Sequence, residues 1–96
     1  GVAVDEGLHW HVAAPQGASW SLECRFRPVT VRGQRLNRYE TSGAGAQPGR
    51  LPGDNGRCTL KKTGGAGPVG VALVKNGRPT ADGTADPVRA AFVDVF

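Results

Sequence analysis

Along most of this chain hydrophobic and polar positions alternate with a period of two, the spacing of a strand that buries one face. The pattern is cleanest in SWSLECRFR, where Trp20, Leu22, Cys24 and Phe26 alternate with Ser21, Glu23, Arg25 and Arg27. A half-buried strand with Cys24 on the core side is predicted. Pro28 interrupts it and the apolar parity shifts to Val29 and Val31, which predicts a bulge or bend. VRGQRLNRYET continues as a hairpin, with Gly33 and Gln34 at the turn and a return strand from Arg35 to Thr41.

The same parity appears elsewhere. In LHWHV, Leu8, Trp10 and Val12 form an apolar face, which leaves His9 and His11 on the wet side. RCTLKKT places Cys58 and Leu60 on one face, with Thr59 and Lys61 on the other. VGVALVK is almost continuously apolar and predicts a central strand, and Asn76-Gly77 after it is a strong two-residue hairpin signal. TADGTADP, residues 80–87, reads as turn chemistry. VRAAFVDVF reads as a closing strand with Val88, Ala90 and Phe92 on one face and Ala91, Val93 and Val95 on the other. Residues 42–56, SGAGAQPGRLPGDNG, hold five Gly and two Pro and predict one long loop, a feature often tied to function.

These segments predict a single all-β domain over residues 1–96, built from six or seven short strands. The expected fold is a small antiparallel β-sandwich, with a small β-barrel as the alternative. Composition agrees, because 15 Gly, 7 Pro and many Val and Thr depress helix propensity. No run approaches the roughly 20 apolar residues of a membrane-spanning helix. The start, GVAVDEG, lacks the layout of a signal peptide, so an exported form is expected to have lost its leader.

Cys24 and Cys58, each on the apolar face of its own strand, predict a disulfide and with it an oxidising compartment: secreted, periplasmic or cell surface. Neither cysteine has a CxxC partner for a metal. A cysteine pair near a tryptophan in a β-sandwich resembles immunoglobulin-like architecture. The sequence signature of that family is nevertheless missing. The separation is short, Trp20 precedes Cys24, and no tyrosine stands two residues before Cys58. Only the architecture is expected, with no family assignment.

Charge changes the picture more than composition does. The net charge is +4, yet nine basic residues between Arg25 and Lys62 face only Glu40 and Asp54. Such a cationic middle suits an anionic partner. The residues expected to bind are Arg32, Arg35, Arg38 and Tyr39 on the hairpin, with Arg50 and Arg57 around the long loop. A protein or an anionic glycan is the expected partner, nucleic acid is not, and edge strands offer a route to self-assembly.

Catalytic patterns are missing from the sequence. There is no GxSxG, no P-loop and no dinucleotide fingerprint, and GGAGPVG is a turn leading into a strand. The expectation is a non-enzymatic, exported binding or structural module without a cofactor, acting through the basic hairpin and the long loop or as a subunit of a surface assembly. Two other functions are open. An inhibitor of a secreted hydrolase would present the loop with Arg50 and Leu51. An HxH metal binder would use His9 and His11, with a third ligand from a carboxylate such as Asp5 or Glu6, or from a neighbouring strand.

Overall fold

The alternation is realised as eight strands in a computed structural model that describes residues 8–95. They are β1 (Leu8–Ala13), β2 (Ser19–Val31), β3 (Gln34–Ala44), β4 (Gln47–Leu51), β5 (Gly56–Gly64), β6 (Val69–Lys75), β7 (Arg78–Thr84) and β8 (Ala91–Val95). One sheet has the order β4-β1-β6-β7 and the other β3-β2-β5-β8, with every pairing antiparallel. Hairpins join β2 to β3 and β6 to β7, while the remaining connections pass between the sheets. The result is a sandwich and not a closed barrel, because neither β3 and β4 nor β7 and β8 form a ladder across the open sides. Among the described residues no helix is long and apolar enough to cross a membrane.

The core lies between the sheets. Leu8, Trp10 and Val12 of β1 and Val69, Val71 and Leu73 of β6 meet Trp20, Leu22, Cys24 and Phe26 of β2 and Cys58 and Leu60 of β5. Trp10 stands edge-on to Trp20 at 6.2 Å between ring centroids, an arrangement the ring quadrupoles favour. The Trp20 indole N–H donates to the Gly45 carbonyl at 2.9 Å and so fixes the turn between β3 and β4. As expected from its composition, β6 is an interior strand, flanked by β1 and β7.

Cys24 and Cys58 form the expected disulfide, and their places in the register show what it joins. They sit directly opposite one another on the adjacent strands β2 and β5, with Cα atoms 4.1 Å apart. The bridge therefore lies within one sheet, whereas the immunoglobulin-like bridge joins two.

Several boundaries differ from the sequence reading. Residues 42–56 are not one long loop, since they contain the end of β3 and all of β4. Two of the glycines that suggested a loop serve close approach instead. A Cβ at Gly49 would fall inside the Trp10 indole, and one at Gly43 would meet the Gln47 side chain. Pro48 is tolerated because β4 is an edge strand paired on one side only. TADGTADP supplies most of β7, an edge strand whose exposed positions need no apolar residues. The closing strand begins at Ala91. Val88, 91% exposed, lies in a turn where the Asp86 carboxylate accepts from its backbone N–H at 2.8 Å. The first hairpin turns at Arg32-Gly33, one residue earlier than expected.

The bulge predicted at Pro28 is present. Between Arg25↔Arg38 and Val29↔Leu36, β2 advances four residues while β3 advances two.

Candidate binding surface

Past this bulge β2 and β3 leave the rest of their sheet. Pairing of β2 with β5 ends at Arg25↔Arg57, whereas pairing with β3 continues to Val31↔Gln34. The distal hairpin is thus a two-stranded arm. Where the β5 ladder ends, the Asn55 side chain takes its place, accepting from the Arg27 backbone N–H at 2.8 Å. Asn55 is 7% exposed and the one buried polar residue among those described. A buried N–H without such a partner would cost about 1–3 kcal/mol. The Asn55 amide also donates to Asp54 at 3.1 Å. That bond, with Lys75 next and smaller effects of the Asp54 backbone N–H and Arg27, holds the exposed Asp54 carboxyl below its ordinary pKa.

The six residues singled out in the sequence separate into four environments. Tyr39 is half-buried and faces inward, opposite Cys24, with its ring 6.2 Å from Trp10, so it packs at the core margin. Arg50 lies on β4, opposite His9, in the other sheet. Arg38 and Arg57 join a row that sequence reasoning missed: Arg38, Arg25, Arg57 and Asp94 stand side by side across β3, β2, β5 and β8. Like charges in register repel. Here they are interleaved with carboxylates. Glu23 accepts from Arg38 at 2.7 Å and lies 3.6 Å from Arg25, Glu40 also pairs with Arg38, and Asp94 pairs with Arg57 at 3.1 Å. Arg57 further covers the Phe92 ring at 5.7 Å. Three arginines meet three carboxylates, and this row is locally neutral. Parity alone put Arg25, Glu23 and Arg57 on the wet side, but their alignment depends on strand register.

Arg32 and Arg35 remain, on the arm. Both are exposed, and neither has an ion-pair partner among the described residues. Arg35 stands opposite Thr30, while Val29 and Leu36 on the adjoining pair pack at the core margin. Arg32 occupies the turn with φ 51°, next to Gly33 at φ 81°. The left-handed region costs an ordinary L-residue about 1–2 kcal/mol, and two-residue hairpins of this kind favour Asn-Gly. The second hairpin uses that pair, Asn76-Gly77, with φ 53° and 76°. The arm instead carries a guanidinium at its tip, in a backbone conformation that arginine seldom adopts.

The other two proposals meet specific geometry. Leu51 is buried and Arg50 is strand-paired, so the loop an inhibitor would present is a strand. His9 and His11 point away from the core on β1, opposite Arg50 and Val74 and opposite Pro48 and Ala72 respectively, which are not metal ligands. Among the described residues no three of His, Cys, Asp or Glu gather into a metal-binding group. Asp5 and Glu6 lie outside the described residues. The chain matches no family model, no curated protein and no solved structure.

Proposed function

We propose that the protein is a non-enzymatic module of an oxidising, extracytoplasmic compartment that binds an anionic glycan through the tip of the β2–β3 arm. The observation that carries this reading is the uncompensated charge of Arg32 and Arg35, on an arm extending beyond β5, while the arginines of the sheet face are neutralised. Arg32 strengthens it, since a strained backbone at an exposed tip is retained at the expense of stability. Guanidinium forks pair with sulfate or carboxylate through two parallel hydrogen bonds, and Thr30 beside Arg35 adds a hydroxyl. The disulfide supports the compartment.

Heparin chromatography tests the proposal. Retention through physiological salt is expected, and Arg32→Gln with Arg35→Gln should lower the eluting salt more than Arg50→Gln on the other sheet. Elution of the unaltered protein below physiological salt would refute it, as would tighter binding to DNA of equal charge density.

A further inference from the structure

Four strands border the open sides of the sandwich, and three of them are blunted against further pairing. Pro48 interrupts β4 and Pro79 interrupts β7. On β8, five residues long, the Phe92 backbone N–H is capped by the Asp82 carboxylate at 2.9 Å. Proline on an edge, a short edge and an inward-reaching charge are the usual defences against strand addition. The fourth, β3, has eleven residues and no proline.

The pairing pattern shows which backbone groups of β3 have no strand partner among the described residues. At 4.1 Å, the Cα separation of Cys24 and Cys58 is that of a non-hydrogen-bonded pair, so the Cys24 backbone groups point to β3 and bond Tyr39. The Phe92 N–H agrees, since the same alternation carried across β5 turns it to the outer edge, where Asp82 meets it. On β3, Arg38, Glu40 and Ser42 therefore direct their N–H and C=O groups outward.

We propose that β3 pairs antiparallel with β3 of a second copy about a two-fold axis at Tyr39, placing Arg38 opposite the partner's Glu40 and Glu40 opposite the partner's Arg38. Charge complementarity selects the register. An axis at residue 38 would oppose Arg38 to its own copy, and one at residue 40 would do the same to Glu40. Centred on Tyr39, both charged pairs exchange backbone hydrogen bonds and opposite charges meet twice. A two-fold perpendicular to the sheet keeps the two Arg38/Glu40 faces on one side and makes a continuous eight-stranded sheet. Arg32, on the turn, stays outside the paired span, while Arg35 lies near its end. Since Arg38 and Glu40, not Arg32 or Arg35, select the register, failure of one proposal is distinguishable from failure of the other.

Sedimentation equilibrium over a concentration series is expected to give twice the monomer mass for the unaltered protein. Arg38→Glu and Glu40→Arg, each alone, set like charges opposite one another and should weaken association by about tenfold or more. Mixed together, the two variants regain both opposite-charge pairs and should associate with each other. Circular dichroism melts show that each variant is folded. A monomer throughout the series overturns the proposal. So does association that persists in the single variants, or a mixture no tighter than its components.

Discussion

Replacing Arg32 by Asn tests whether the arm's tip trades stability for binding. With φ 51°, Arg32 carries most of the left-handed penalty of about 1–2 kcal/mol, and Asn carries less of it because its short amide tolerates that region. Asn76, at nearly the same φ in the other hairpin, shows the cheaper solution within this chain. The expected gain is about 0.5–1 kcal/mol, a rise of about 2–8 °C in Tm for a domain of this size. Removing a cation also relieves repulsion, and Arg32→Gln removes the charge without relieving the backbone. The difference between the Asn and Gln variants in urea denaturation isolates the conformational part. On heparin both variants should lose one cation's contact, making the dependence of log K on log salt shallower by about one. If Asn is no more stable than Gln, the backbone argument fails. If the salt dependence is unchanged in both variants, Arg32 does not touch the polyanion.

Three further outcomes follow from the fold. Cys24→Ser with Cys58→Ser should lower stability by about 3.5–4 kcal/mol on the loop-entropy estimate for a separation of 34 residues, measured by urea denaturation. Gly49→Ala sets a methyl group into the Trp10 indole and should cost at least about 1–3 kcal/mol, with a change in tryptophan fluorescence, whereas Gly77→Ala meets open space and pays only for its positive φ. The exposed Asp82 carboxyl is held below its ordinary pKa by the Phe92 backbone N–H first, then by the Gly83 N–H and Arg89. A carboxyl depressed on folding stabilises fully above its unfolded pKa of about 4 and loses that contribution as pH falls through the lower folded value. Asp82→Asn should therefore flatten the acid side of a Tm-against-pH curve, and an unchanged curve would count against the cap.

Where a strand buries one face, the sequence exposes it. Trp20, Leu22, Cys24 and Phe26 alternate because every second side chain must enter the core, and the shift at Pro28 marks the bulge for the same reason. Strands at the margin leave a weaker trace. The exposed positions of β7 include Asp, Gly, Thr and Pro, which read as turn residues because nothing there demands apolar side chains. In β4 the glycine that signalled a loop makes room for Trp10, a contact between strands nearly forty residues apart that no local pattern reveals. The candidate site was legible to the same degree. Excess charge located the hairpin, but register decided which arginines meet carboxylates, and the facing of Tyr39 toward Trp10 follows from its place opposite Cys24.

Because the disulfide ties β2 to its neighbour β5, it closes a covalent ring around the arm, β3 and β4. A protease that cuts the exposed tip would leave one molecule of unchanged position on a non-reducing gel and two fragments only after reduction. Tension applied between the chain ends would likewise pass through the sulfur bridge, leaving residues 25–57 out of the load path. The β2–β3 arm thus lies in a segment of this chain that can be nicked or bypassed mechanically without the protein coming apart.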